Sequence, residues 1–416
     1  MRKTGIVCKG MIFLSVVCLL TGCWDRQEIE DRSYVIGLGI DKSEHKGKIK
    51  VTMLLANPEV GSMQGGGGST EKPREIITFE VNDFIAAKGT ANSIISRNIS
   101  YEFLKIIIVS EKYAKDKNFP TTISDTQKDK EIRMNTYLAV SKENASDYFV
   151  ENKPKMETRP HKYFQYMVDH GIENGMIPDS TLFRYFKTLD RGTDLYLAMY
   201  TTAVKSKKTK IKSEDEYLAG QVKATGELDD TQFIGSAVFK NGVMTKKLTG
   251  QETRIVNILD DTTDIKDILI DIPDPFSNKG MQFAARIMKR ENNKVKMKNL
   301  KGTEPQMIIT IPLKVEIMTN PSMVSYTSEK NRQILKKQVI SFFKVMNENL
   351  FKKSQTQLKG VPYPLSLYAR PYFLTIKDFE KFNWGKSFLR ADIIVKPEIE
   401  IIDYGKQSKK PVKVGG

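Results

Sequence analysis

The sequence predicts an α+β (mixed α/β) protein of two to three domains, with central mixed or antiparallel sheets flanked by helices. Three observations lead there. Strand-patterned apolar runs alternate with helix-patterned ones along most of the chain. An Asn241-Gly242 pair sits between two apolar runs, the preferred two-residue hairpin turn because both positions need positive φ. Residues 329–353 carry one long amphipathic helical pattern. At 416 residues the chain exceeds what one core usually serves. A hydrophobic fraction of 40% supports a globular chain rather than a disordered one.

The N-terminus sets the compartment. Arg2, Lys3 and Lys9 surround the start of an apolar run, Met11 to Leu20, that is short for a bilayer-spanning helix and suits a secretory signal. The run ends in Leu20-Thr21-Gly22-Cys23, which resembles the lipobox of bacterial lipoproteins. The resemblance implies cleavage between Gly22 and Cys23, with Cys23 then carrying an S-diacylglycerol and an N-acyl chain. An ordinary signal peptide or an uncleaved anchor is the alternative. Two or more acyl chains hold a protein stably at a membrane, whereas one is marginal. The rest of the chain is then an extracytoplasmic region tethered to a membrane surface. Cys8 and Cys18 leave with the signal, so disulfide and thiol chemistry are excluded from the mature chain. No second apolar run near 18 residues follows.

In chain order, Tyr34–Asp41 reads as a buried strand and Lys48–Leu55 as its alternating partner. Gly37-x-Gly39 lacks the third glycine and following helix of a phosphate loop, so the hairpin reading is preferred. Residues 57–72, with four consecutive glycines, form a flexible loop. Ile76–Val81 is a strand, and Asp83 caps a helix running to about Arg97. Phe103–Ser110 and Glu131–Val140 are strands, and Ala145–Phe149 opens a short helix. A helix starts at Pro160 and stops at Gly171; another spans Thr181–Leu189. Lys205, Lys207, Lys208, Lys210 and Lys212 follow in a dense basic stretch, an interdomain linker or an exposed hairpin. Phe233–Met244 is the clearest hairpin, followed by a loop and helix to Leu259. Strands are expected near 268–272, 283–290, 294–298 and 307–317. Ser328 caps the long helix Glu329–Lys353, whose Leu335, Val339, Phe342, Met346 and Leu350 form one face. A proline-rich loop (362–371), a helical piece (377–384) and a terminal strand pair (388–402) complete the chain before a basic, disordered tail. The expected domains are a signal (1–22), an N-terminal α/β domain (23–203), a basic linker (204–216), a middle β-rich domain (217–320), a C-terminal domain (321–404) and the tail (405–416).

The formal net charge is +16. Nucleic acid is excluded as a partner, because no basic stretch is interleaved with stacking aromatics and the chain is exported. The five lysines between 205 and 212 are the candidate contacts to anionic lipid headgroups, against the plainer reading of a solvated face. Catalytic signatures are missing: no Gly-x-Ser-x-Gly, no P-loop, no His-Glu-x-x-His. His161 and His170 stand about 180° apart around one helix and cannot share a metal there; His45 is remote in sequence. Asp229-Asp230 and Asp260-Asp261 are expected to be solvated turn residues, and the second pair lacks the glycine and final glutamate of a calcium loop. These features favour a binding or scaffold protein over an enzyme, with no cofactor or metal.

Four segments stand together: Leu20–Ile29 running into Val35-Ile-Gly-Leu-Gly-Ile-Asp41; Glu131–Val140 with Ala145-Ser-Asp147; Gly235–Met244 with Leu248-Thr-Gly-Gln-Glu-Thr253; and Asn383-Trp384 through the Ala391–Ile402 strands to Gly405. In this order and spacing they resemble one family, the Ger(x)C lipoproteins, C subunits of bacterial spore germinant receptors. The proline-rich 361–371 departs from the Phe-Gly-rich segment often found there. The resemblance implies a non-enzymatic, three-domain α/β subunit on the outer face of the spore inner membrane. It implies assembly with integral-membrane A and B subunits into a nutrient receptor. The rival reading, a substrate-binding lipoprotein of a transporter, requires two similar lobes, and no internal repeat is visible.

Overall fold

The computed structural model describes residues 31–56, 74–191, 194–205, 215–266, 268–278 and 280–404. Gly22, Cys23, the glycine-rich loop and the basic tail lie outside these residues, as do Lys207, Lys208, Lys210 and Lys212.

Two mixed sheets organise the chain. The first contains β1 (Arg32–Lys42), β2 (Ile49–Ala56), β3 (Arg74–Val81), β4 (Asn98–Ser100), β5 (Ile106–Ser110), β6 (Tyr137–Ser141), β7 (Tyr196–Thr202), β8 (Gln232–Lys240) and β9 (Val243–Leu248). Its order is β3-β2-β1-β5-β6-β7-β8-β9, with β4 alongside β1. The central strands β1, β5, β6 and β7 run parallel, and antiparallel pairs close both flanks. Their composition explains the arrangement: Ile106–Ser110 and Tyr196–Thr202 are buried throughout, as strands covered on both faces must be.

Alternate residues of β1 feed the two covering layers. Val35, Leu38 and Ile40 pack with α1 (Phe84–Asn92), α2 (Glu111–Ala114), α3 (Phe119–Ser124) and the buried side of a later helix, Leu182 and Tyr185. Tyr34 and Ile36 pack on the other face with α4 (Ala145–Glu151) and α5 (Pro160–Glu173). The helix bearing Leu182 and Tyr185 is α6 (Leu182–Arg191).

The second sheet joins β10 (Ile268–Pro273), β11 (Gln282–Lys289), β12 (Lys294–Lys298), β13 (Gln306–Ile317) and β14 (Asp392–Asp403). β13 is central, antiparallel to β11 and β12 and parallel to β14. Between the sheets in sequence lies α7 (Gly250–Leu259), opened by a capping box in which Thr249 and Glu252 satisfy each other's backbone amides. α8 (Glu329–Lys353) covers the second sheet, and α9 (Ser366–Ala369), α10 (Ile376–Lys381) and α11 (Trp384–Arg390) follow it. Ile255, Val256 and Leu259 of α7 share one core with Leu197 and Leu248 of the first sheet and with the second sheet. The two sheets are therefore joined through α7 by apolar packing.

Mixed sheets with helical cover agree with the expected fold class. Several boundaries differ, each for a visible reason. The strand expected over 131–140 begins only at Tyr137, because Glu131 turns inward to accept the Tyr101 amide (2.7 Å) and pair with Lys88 (2.6 Å). β7 had no sequence expectation and completes the parallel core. β7 and β8 are antiparallel neighbours, so the basic segment 204–216 joins two strands of one sheet. The 233–244 hairpin, expected in a middle domain, belongs to that same sheet. The long helix has the expected limits, but its innermost aromatic is Phe343, with Phe342 half-buried. In place of a terminal strand pair, α11 runs to Arg390 and one strand follows.

Candidate functional site

A cavity of about 350 Å³ opens where the first sheet meets the second unit. α6 positions its central cation. Leu182 and Tyr185 face the core, which turns Arg184 outward toward the seam. Arg184 Nε donates to Asp179 (2.8 Å), Nη1 to Asp260 (3.0 Å) and Nη2 to the Thr262 carbonyl (2.7 Å). Burial opposes the guanidinium charge, yet Asp179 and Asp260 more than offset it and hold the pKa above its usual value. Asp260 also accepts from the Thr262 amide (2.9 Å) and hydroxyl (2.6 Å), which closes the turn after α7.

The opposite wall comes from the proline-rich segment. The Leu195 amide donates to the Val361 carbonyl (2.7 Å), and the Ser366 hydroxyl donates to buried Asp194. Tyr363 is buried beside the cavity, and burial keeps its phenol neutral well above the usual range. Below the seam, Asp261 receives Lys289, the Asn293 amide (3.0 Å) and side chain (2.9 Å), and the Tyr368 hydroxyl.

Asp260 and Asp261 are thus not solvated turn residues. They face α6 and the second sheet because their turn is enclosed between the units. Asp229 likewise accepts from the Lys153 amide (2.6 Å) and Thr231, and Asp230 pairs with Lys205. Lys205, a candidate contact to lipid headgroups, is partly exposed beside Asp230.

The cavity's chemistry is that of a bonded seam. Its guanidinium is divided between two carboxylates, so it does not present an uncompensated cation to an anion. The histidines are elsewhere. His45 Nδ1 lies 2.6 Å from Glu80 on the surface, His161 is held below its usual pKa first by burial and then by Lys162 and Arg159, and His170 stacks on Tyr166. Among the described residues no three metal-ligating side chains converge. Sequence reasoning missed Arg184, whose partner Asp260 lies 76 residues on; nothing local in α6 signals that pairing. A second cavity of about 240 Å³, lined in part by Lys105, Arg133 and Asp169, lies at the end of the first sheet where β1 begins. There Arg32 pairs with Glu102 at 2.8 Å.

Comparison with known proteins identifies the arrangement. Residues 25–202 match the family model described as the spore germination protein N-terminal domain, and residues 234–405 match the spore germination B3/GerAC-like C-terminal domain. The chain belongs to the Ger(x)C family of spore germination proteins. It is 25% identical over 144 residues to spore germination protein KC of Bacillus subtilis (strain 168), covering 34% of this chain and 35% of that protein. It is 26% identical over 171 residues to spore germination protein B3 of the same strain, covering 41% and 44%. These alignments span less than half of either relative. The fold resembles the crystal structure of the GerBC protein at TM-score 0.53 and 19% identity, over 90% of this chain and all of that one.

The segments that carry the Ger(x)C resemblance do structural work here. A Cβ at Gly235 (φ +86°) would lie 2.5 Å from the Leu248 carbonyl oxygen, so this position needs glycine for both its backbone angle and the close approach of β9. Thr249 and Glu252 supply the capping box of α7.

Proposed function

We propose that this Ger(x)C chain is the C subunit of a spore nutrient germinant receptor, non-enzymatic and held on the outer face of the spore inner membrane by lipid on Cys23. In this reading it assembles with integral-membrane A and B subunits and serves as their extracytoplasmic scaffold. The observation that carries it is the pair of family matches covering 25–202 and 234–405 in order. The Leu20-Thr-Gly-Cys23 sequence supports the anchor. The internally paired charges of the inter-unit cavity support a structural role for that seam. No helix among the described residues is long and apolar enough to cross a membrane, so on this reading retention depends on Cys23 and on partners.

The test is co-purification from detergent-solubilised spore membranes, wild type against Cys23→Ala. Recovery of two polytopic partners with the wild type, and loss of membrane retention in Cys23→Ala, is the expected result. Recovery alone or with a transporter permease overturns the receptor reading.

A further inference from the structure

We infer that the tip formed by residues 372–376 dips into an anionic bilayer surface and fixes how the tethered protein stands on its membrane. The inference rests on the membrane-tethered reading above. Leu374 is 100% exposed, Ile376 55% and Tyr372 47%, three large apolar residues within five positions. Scattered single hydrophobics are ordinary on a protein surface; a cluster held out on a supported tip is not.

The support is specific. Phe373 turns inward onto Phe379 (ring centroids 5.3 Å apart) and Phe382 (4.9 Å), and these rings pack against the core of the second unit. Tyr372 accepts the Met297 amide through its hydroxyl oxygen (3.1 Å), tying the tip to edge strand β12. Thr375 caps α10 through the Asp378 amide (3.1 Å). The loop is therefore held by its aromatic base while Leu374 projects into solvent.

Charge complementarity selects the occupant. Lys296 and Lys298 flank Met297 on exposed positions of β12, and Lys301 stands 4.6 Å above the Phe373 ring. Lys377 and Lys381 lie four residues apart on α10, both exposed. Among the described residues none of these five forms an ion pair. Asp378 and Glu380 share the helix, so the rim keeps a cationic excess. Exposed apolar side chains flanked by ammonium groups match the boundary between acyl chains and anionic headgroups. A protein pocket is the alternative that the test separates.

The full-length lipidated chain, carrying Leu374→Cys labelled with a polarity-sensitive fluorophore, is reconstituted on vesicles. The wild-type chain taken through the same labelling serves as the blank, and matching thermal unfolding confirms the fold. Vesicles contain either equal parts phosphatidylglycerol and phosphatidylcholine, or phosphatidylcholine alone. The expected result is a blue-shifted probe, quenched by brominated lipid, on the anionic vesicles. With Lys298→Glu and Lys301→Glu added, the chain still floats with the vesicles, and the fraction of inserted probe falls roughly tenfold. A chain that floats with its probe in water on both vesicles overturns the inference and leaves the tether intact. A probe shielded only when integral-membrane partners are present also overturns it, in favour of a protein contact. If Cys23→Ala floats on anionic vesicles with the probe inserted, the tip stands and the lipid-tether reading fails. A chain that floats on neither vesicle overturns both.

Discussion

The Asp41 carboxylate accepts the backbone amides of Ala145 (2.7 Å) and Ser146 (3.0 Å), which joins the end of β1 to the start of α4 across 104 residues of chain. Asp41 is buried, and the two amides are among the four that a helix start leaves without partners. This contact gives a physical reason for the Gly-Leu-Gly-Ile-Asp and Ala-Ser-Asp segments to occur together. Asp41→Ala leaves both donors unmet, the Ala145 amide buried and the Ser146 amide partly so, at a cost of about 1–3 kcal/mol. Asp41→Asn keeps one acceptor and is expected to recover part of that. Urea unfolding midpoints of the three chains check the order.

Gly37 and Gly39 make room for the same helix. A Cβ at Gly37 would sit 2.8 Å from the Phe149 ring, and one at Gly39 would sit 3.1 Å from the Ala145 Cβ and the Phe149 ring. Gly37→Ala is expected to cost about 1–3 kcal/mol through overpacking. Because the obstacle is a side chain, Phe149→Leu added to Gly37→Ala should restore part of the loss, a negative coupling that a double-mutant cycle reads. Gly235→Ala meets a backbone carbonyl instead, so no neighbouring truncation should rescue it.

How much of this was legible in the sequence follows from what each signal depends on. The 233–244 hairpin and the long helix could be read because Asn241-Gly242 and the Glu329–Lys353 periodicity are local. β7 was not, since Tyr196–Thr202 has no polar alternation once both its faces are covered. The strand at 131–140 was overextended because Glu131 is drawn to Tyr101, thirty residues earlier. The inter-unit seam was illegible for the same reason. Arg184, Asp260 and Asp194 look like ordinary polar residues until the fold encloses them. The Gly-x-Gly pair lies in the first strand of the expected hairpin, but the helix it accommodates starts a hundred residues later.

Glu111, the first residue of α2, predicts an acid-sensitive link between that helix and strands β7 and β9. Burial pushes its pKa up, but donors from Lys115 (2.5 Å), Tyr200 (2.6 Å) and Lys247 (2.9 Å) more than offset this and bring it from 4.5 to about 2. The carboxylate therefore stabilises the fold fully above its unfolded value of 4.5. That contribution fades as pH falls from 4.5 toward 2 and is gone below both values. The difference amounts to at most about 3 kcal/mol. Glu111→Gln should lower stability at neutral pH and flatten the stability profile between those limits, which denaturant titrations at successive pH values measure. An unchanged acid slope in Glu111→Gln would show that other carboxylates dominate it.

The last turn of α8 and the first turn of α7 are joined by Lys353, whose Nζ lies 2.6 and 2.8 Å from the two Glu252 oxygens. Glu252 has a second task, accepting the Thr249 amide (3.0 Å) in the capping box. The two side chains are about a quarter exposed, so solvent screens the pair and its own worth is roughly 0.2–1 kcal/mol. Lys353→Ala should remove only that. Glu252→Ala removes the pair and its half of the cap, and is expected to cost about 1–2 kcal/mol. The double variant should then cost little more than Glu252→Ala alone. The coupling from the cycle is expected to shrink with added salt, while the capping part persists because it is a short-range hydrogen bond. A coupling that ignores salt would assign the contact to packing of the lysine stem rather than to its charge.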